Sequence, residues 1–320
     1  MSATAGSPRP FFYGGQAVVE GVMMRGPQHY AVAVRLPKGG IRVERGELRG
    51  HLYTHPVWRL PFLRGLAVLA EQLHLGMRCL VWSAAVNAGE QDIHIGRREV
   101  AISLTVGILF SVLLFIGLPL LGAGIAVQRS SSFWFVVVEG LIRIFLVLGY
   151  LSLIGMLRDV RRVFQYHGAE HKTINALEHA WPLEPATVRR ASVLHPRCGT
   201  GFLLVVLVVS VLVFSLVAIA HPNWLGLVGS RIVGIPVIAA VSYEWIRFLA
   251  GRARTRVGAA LLVPVLLTQR FTTREPDYSM LEVAIAALRG AMQDPAAQEP
   301  RPPTGVSSAG SPPSGTEVEP

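Results

Sequence analysis

Two histidines and a glutamate stand at a spacing that suits a divalent metal. His167, Glu170 and His171 follow the order His-x-x-Glu-His, so one face of a helix would carry both imidazoles and the carboxylate. A His pair at this spacing can chelate one metal ion, and the carboxylate can hold and deprotonate a water at that ion. The order is the inverted form of the zinc-protease signature. The motif therefore makes a divalent-metal site, with zinc favoured and Glu170 as the catalytic base, the leading hypothesis for function.

A catalytic zinc site usually takes three protein ligands, so a further donor is needed. His195 and Cys198 stand together in His-Pro-Arg-Cys, in the same inter-span segment as the motif, and either is a candidate third ligand. Glu275, in Thr-Thr-Arg-Glu-Pro-Asp, ranks below Cys198. Taken singly, each is equally well explained as an ordinary loop residue or a buried thiol. The third ligand stays open between them.

Membrane helices must position these residues. Hydrophobic residues make up 51% of the 320 and charged residues 16%, and the mean hydropathy is +0.45. A chain this apolar is not an ordinary soluble protein. Four charge-poor runs predict transmembrane helices at residues 102–127, 133–157, 201–220 and 232–250. Glu139 with Arg143, and Glu244 with Arg247, are interpreted as ion pairs within one helix each, with a polar pathway as the alternative.

The distribution of basic residues predicts the orientation. Arg is frequent between residues 158 and 197 and in the flanks of the four spans, whereas the other two loops carry only Arg129 and Arg231. By the positive-inside rule, both termini and the central segment face the cytoplasm, in a bacterial inner membrane. Anionic lipid head groups are the natural partner of juxtamembrane Arg. The net charge of +10 follows from this topology, and no motif for nucleic-acid binding accompanies it.

Smaller elements are predicted outside the spans. Residues 31–36 and 41–45 flank Pro-Lys-Gly-Gly and indicate a β-hairpin, and residues 16–20 indicate another strand. Residues 62–86 carry polar side chains at helical spacing on one side, which favours a helix lying on the bilayer, with a fifth crossing as the alternative. Residues 257–267 are too short to cross and should pack at the inner surface or against the bundle. Residues 281–288 predict a short amphipathic helix.

The predicted fold class is an α-helical integral membrane protein with about four transmembrane helices and a small N-terminal β-containing cytoplasmic domain. Its parts in chain order are a disordered N-terminus (1–13), the β-rich domain (14–60), the interfacial amphipathic helix (61–87), transmembrane helices 1 and 2 (101–157), the cytoplasmic loop with the motif (158–199), transmembrane helices 3 and 4 (200–250), a membrane-proximal segment (251–292) and a disordered tail (293–320).

Four sequence blocks resemble one known family. They are Gly-Gly-Gln-Ala-Val-Val-Glu-Gly-Val-Met-Met-Arg-Gly-Pro (14–27), Tyr-His-Gly-Ala-Glu-His-Lys-Thr (166–173), His-Pro-Arg-Cys-Gly-Thr (195–200) and Leu-Thr-Gln-Arg-Phe-Thr-Thr-Arg-Glu-Pro-Asp (267–277). In this order they resemble the YqhQ-like family of bacterial multi-pass membrane proteins, a domain of unknown function labelled a predicted metal-dependent enzyme. The resemblance implies the membrane architecture and a metal-dependent activity without a defined reaction.

The leading functional hypothesis is a metal-dependent hydrolase that acts on a membrane-proximal substrate at the cytoplasmic face. A non-catalytic membrane scaffold or assembly factor is the alternative from another class. A transporter is disfavoured, because the spans show no internal repeat.

Overall fold

The computed structural model describes residues 13–48, 56–89, 97–127, 132–220, 223–252 and 255–292. The strands are β1 (Gly14–Val18), β2 (Gly21–Arg25), β3 (His29–Arg35) and β4 (Ile41–Glu47). The α-helices are α1 (Leu63–Asn87), α2 (Arg97–Val112), α3 (Leu118–Ala126), α4 (Ser132–Ile154), α5 (Arg158–Glu178), α6 (Pro185–Val188), α7 (Gly199–Ile219), α8 (Trp224–Gly251), α9 (Arg256–Thr272) and α10 (Tyr278–Met292). The ends predicted to be disordered are residues 1–13 and 293–320, and all of them except Tyr13 lie outside the described residues.

Four helical segments of the described chain are long and apolar enough to cross a membrane. They are Ala101–Ala126, Phe133–Ile154, Gly199–Val217 and Leu225–Leu249. The four predicted spans are therefore confirmed. The first comprises α2 and α3, joined without a break by the π-helical turn Leu113–Gly117. The fourth begins at Leu225 instead of residue 232, because Arg231, predicted as a loop residue, lies inside α8 and is fully buried.

Arg231 belongs to a buried ion cluster within the span bundle. The carboxylate of Glu139 accepts a hydrogen bond from Arg143 at 2.6 Å, as predicted, and also from Arg231 on another helix. Arg143 donates in addition to Ser210 Oγ at 3.1 Å and to the carbonyl of Phe115 at 2.9 Å. Phe115 lies in the π-helical turn, where carbonyls leave the regular helical ladder. The guanidinium groups thus find acceptors where water is absent.

Glu244 forms its ion pair with Arg64 of another helix, and its predicted partner Arg247 adds a smaller electrostatic interaction. Arg64 of α1 donates to the Glu244 carboxylate through Nε at 2.7 Å and through a second nitrogen. This contact is possible because α1 and α8 approach closely, with Gly65 lying directly against the ring of Tyr243. The polar face of α1 therefore forms two ion pairs. Near the beginning of α1, Arg64 pairs with a transmembrane helix, and further along Glu71 pairs with Arg25 of the sheet.

The four strands form one antiparallel sheet in the order β1-β2-β3-β4. The predicted hairpin is confirmed as β3 and β4, whose turn uses Gly39 and Gly40 at φ 91° and 88°, a backbone region that favours glycine. The predicted strand at residues 16–20 overlaps β1. Strand β2 was not predicted, because it is buried on both faces and lacks the alternation of apolar and polar residues that reveals a half-exposed strand.

Helices cover both faces of the sheet. On one face, Val22, Met24, Ala31 and Ala33 pack against α5 and α10. On the other face, the sheet packs against α1 through Val18, Met23, Tyr30, Val32 and Val34. Helix α10 was predicted as a short amphipathic helix at residues 281–288. It is longer and mostly buried, because it fills the sheet face next to α5.

The motif helix α5 is the centre of this layered region. The motif was expected on a short helix, but α5 has 21 residues, and every residue from 168 to 176 is buried. Gly168 lies against the carbonyl of Arg274 with no room for a Cβ, so the segment after α9 runs directly over the motif. Helix α9 itself packs against α7 and α4, in agreement with the prediction that residues 257–267 pack against the bundle.

Candidate metal centre

Three of the predicted ligands meet at one point. The candidate ligand atoms of His167, His171 and Cys198 all lie within 4.8 Å of one another. Cys198 Sγ is 3.3 Å from His167 Nε2, and the two imidazole rings have centroids 4.4 Å apart. Tetrahedral zinc bonds to nitrogen and sulfur imply ligand separations of roughly 3.3–3.6 Å. The separation of Cys198 Sγ and His167 Nε2 thus matches what one zinc ion would impose, and the other two separations are at most 4.8 Å.

Backbone carbonyls determine which nitrogen of each histidine is available. His167 Nδ1 is 2.8 Å from the carbonyl oxygen of Thr272, and His171 Nδ1 is 2.5 Å from that of Val193. A carbonyl can only accept, so each ring carries its proton on Nδ1 and keeps a lone pair on Nε2. Metal-binding histidines are commonly oriented in this way, with the second nitrogen donating to a carbonyl.

His171 Nε2 provides the strongest sign that an ion belongs here. This atom is buried and has no hydrogen-bond partner among the described residues. A buried polar atom without a partner costs about 1–3 kcal/mol, and native proteins rarely tolerate it without a reason. A metal ion between His167 Nε2 and Cys198 Sγ would supply that partner. The residues present therefore fit a divalent metal.

Cys198 is held in place by its neighbour Thr200. The Thr200 backbone N–H donates to Cys198 Sγ at 3.3 Å, and the Thr200 hydroxyl lies 3.0 Å from the same sulfur. Hydrogen bonds to a metal-bound thiolate delocalise its charge and fix its orientation. These contacts position the sulfur at the beginning of α7, facing the two imidazoles.

Glu170 lies beside the ligands and is only 5% exposed. Burial raises the pKa of Glu170, while His167, His195 and a hydrogen bond from the Gly15 backbone N–H oppose that rise. A Cβ at Gly15 would lie 3.1 Å from Glu170 Cγ and closer still to the Met23 carbonyl, so only glycine fits. The glycine-rich block at residues 14–27 thus brings a backbone donor to the carboxylate of the motif.

His195 is near the centre but outside the group of three. Its backbone N–H donates to Gln269 Oε1 at 3.0 Å, and its carbonyl accepts from Gln269 Nε2 at 2.8 Å. Its ring lies 5.8 Å from the ring of His171, and its Nε2 is 3.5 Å from Glu178 Oε1. Burial lowers the pKa of His195, with Glu170 acting in the opposite direction, so the neutral ring is favoured.

Glu275 also lies outside the group. Its exposed carboxylate is 3.1 Å from Lys172 Nζ, and Lys172 in turn donates to the carbonyls of Arg189 and Ala191 at 2.8 Å each. Asn175 holds the next carbonyls, those of Ser192 and Leu194. These contacts secure the segment that bears Val193 and His195. Sequence reasoning missed them, although Lys172 and Asn175, polar residues within about one helical turn after the motif, were a usable signal.

The comparisons with known proteins place the chain in one family. A family model described as a protein of unknown function, DUF1385, matches residues 60–294, which include all three grouped ligands. The chain belongs to this family. It is 34% identical over 294 residues to the uncharacterized protein YqhQ of Bacillus subtilis (strain 168), covering 87% of this chain and 92% of that protein. No solved structure matches. The family resemblance seen in the four sequence blocks is confirmed, and since these names describe no activity, the function has to be inferred from the site.

Proposed function

We propose that the chain holds one divalent metal through His167, His171 and Cys198, and that this centre hydrolyses a membrane-proximal substrate. The observation that carries the proposal is the buried Nε2 of His171, which has no hydrogen-bond partner among the described residues and belongs to a ring whose ligand atom lies within 4.8 Å of those of His167 and Cys198. Two imidazoles and one thiolate are a donor set that suits zinc. Three protein ligands leave a position for water, as in catalytic zinc sites.

A zinc ion held by His167, His171 and Cys198 would supply an activated water, because bound zinc lowers the pKa of water to about 7. The role assigned to Glu170 is to accept a proton from that water and to return it to the leaving group. Its place on the same helical face as both histidines, and the hydrogen bond from Gly15, keep its carboxylate close to the centre. The buried position of the motif also limits access of bulk water.

Replacing Glu170 with glutamine tests the catalytic part of the proposal. We expect E170Q to keep its zinc and to hydrolyse substrates about 100- to 10,000-fold more slowly, the usual effect of losing a general base. The purified, zinc-loaded chain would be assayed with p-nitrophenyl acetate, p-nitrophenyl dodecanoate and bis-p-nitrophenyl phosphate. E275Q is the matched control, because Glu275 is a nearby but exposed carboxylate, and it should retain full activity. Zinc binding without hydrolysis of any probe, or equal rates for E170Q and wild type, would support the non-catalytic scaffold instead.

Zinc should protect Cys198 from alkylation. The chain has two cysteines, and Cys79 serves as an internal control, because burial raises its pKa to about 12 and keeps its thiol protonated and unreactive. With zinc bound we expect iodoacetamide to label neither cysteine at pH 8. After treatment with a chelator we expect label on Cys198, identified by peptide mass spectrometry. Labelling of Cys198 at the same rate before and after chelation would contradict a metal–thiolate bond.

We further infer that the metal centre faces the cytoplasm. With Arg231 inside α8, the segment between α7 and α8 carries neither Lys nor Arg, which strengthens the asymmetry of basic residues. Reporter fusions after Gln165 should therefore be active as cytoplasmic reporters, and fusions at Gln128 or Asn223 as external ones. The opposite pattern would overturn the orientation.

A further inference from the structure

A cleft lies next to the metal centre, between helices of the transmembrane bundle. It encloses about 50 Å³ between α4, α7 and α9, well below the roughly 300–1,000 Å³ of pockets that hold a whole ligand, so it has room for only a short segment of a chain. Its walls are aliphatic side chains of α4, between residues 144 and 151, and of α7, between residues 203 and 207. Thr200, Thr268 and Thr272 form its remaining lining. None of the described residues that line it is charged, so it is suited to an apolar occupant.

The threonines connect the cleft to the candidate ligands. The hydroxyl of Thr200 is 3.0 Å from Cys198 Sγ, and the carbonyl of Thr272 is 2.8 Å from His167 Nδ1. The hydroxyl of Thr272 also donates to that of Thr200 at 3.3 Å. The polar end of the cleft is therefore the outer wall of the metal centre. An occupant with a polar end would have that end next to Cys198.

The apolar part of the cleft lies at the depth of the membrane spans. Its α4 side chains belong to the span Phe133–Ile154, and its α7 side chains to the span Gly199–Val217. Leu203 on its wall is 36% exposed, so the cleft opens sideways to the surroundings of the bundle. At this depth those surroundings are lipid tails. The molecule that can enter from this side is one with a hydrocarbon chain.

We propose that the cleft receives a short segment of one hydrocarbon chain of a membrane lipid, and that the substrate of the centre is such a lipid, with its head group at the threonine end. The catalytic half of this inference rests on the proposed hydrolase function, whereas chain binding does not. A chain that leaves the bilayer for the cleft gains little hydrophobic free energy, because it leaves an equally apolar environment. What the cleft supplies is orientation, which places the bond to be cleaved beside the ligands.

Photolabelling tests chain binding without requiring any activity. The full chain would be reconstituted in phosphatidylcholine vesicles that contain phosphatidylglycerol with a diazirine in the middle of one acyl chain. After irradiation we expect label in the peptides that cover residues 144–151 and 203–207. L204W should fill the cleft and reduce this label to background. L212W is the matched control, because Leu212 lies on the same helix but is 61% exposed, and its label should equal that of wild type.

Two control measurements and one additional variant complete the experiment. Labelling of the lipid-exposed residues 108–113 of the first span should be unchanged in every variant, and zinc content should be the same in L204W and L212W. L148W provides a second filled cleft should L204W fail to fold. Cleft label that persists in the filled variants would overturn the proposal. If the filled variants lose the label but the protein binds no zinc, lipid binding in the cleft is supported and the metal centre is refuted. If the protein shows zinc-dependent hydrolysis but no label in the cleft, only lipid binding in the cleft is refuted.

Discussion

Replacing His171 with alanine should lower the bound metal from about one ion per chain to background, as expected when one of three protein ligands is removed. His171 contributes the buried Nε2 that has no other partner, and its ring is already oriented by the carbonyl of Val193. The remaining pair, His167 and Cys198, would leave the ion with too few protein donors. H167A and C198S should have the same effect. Metal content would be measured by elemental analysis of protein purified in detergent.

The control for this experiment lies at the end of the same helix. His179 follows the last residue of α5, and its Nδ1 contacts the carbonyl of Asn175, so H179A removes an imidazole without touching the centre. H195A and E275Q extend the control to the two predicted ligands outside the group, and both should keep the metal. Retention of full metal content by H171A, or its loss in H179A, would contradict the assignment of ligands.

Replacing Glu139 with glutamine should destabilise the transmembrane bundle by about 3–5 kcal/mol, the usual cost of breaking a buried ion pair from one side. Glu139 is 1% exposed and is the acidic partner of both Arg143 and Arg231, which are 6% and 0% exposed. The neutral amide would leave two guanidinium groups in an apolar bundle. The free energy of unfolding would be measured by denaturant titration in detergent micelles, with circular dichroism as the signal.

Glu282 provides the matched control for Glu139. It pairs with Arg35, but its side chain is 50% exposed, so E282Q should cost no more than about 1 kcal/mol. E139Q and E282Q proteins of equal stability would show that the ion cluster does not hold the spans together. The cluster would then have to be explained in another way.

The parts of the fold that depend on local physics were predictable from the sequence. A run of some 20 apolar residues is what a bilayer requires, and the four spans were found from that requirement alone. Arg231 was misplaced because a charge normally marks the end of a span, and its partner Glu139 comes from a different helix. Strand β2 was missed for a related reason, because its second face is covered by tertiary contacts that leave no pattern in the sequence.

Part of the candidate site was also predictable from the sequence. Helical spacing alone pairs His167 with His171, and it places Glu170 beside them. The choice between Cys198, His195 and Glu275 could not be made from spacing, because it depends on how the chain folds back over α5. Lys172 engages Glu275, and Gln269 holds the backbone of His195. The carbonyls that orient the two imidazoles and the Gly15 N–H are backbone groups, which no residue type reveals.

The absorption spectrum of the cobalt-substituted protein would show whether His167, His171 and Cys198 bind one metal ion together. Cobalt(II) takes the place of zinc in such sites, and its spectrum reports coordination geometry and the presence of sulfur. We predict visible bands of the intensity typical of a tetrahedral site, together with a thiolate-to-cobalt charge-transfer band that is absent from C198S and present in H179A. Failure to bind cobalt, or a bound cobalt without the thiolate band in the wild-type chain, would contradict a centre built from His167, His171 and Cys198.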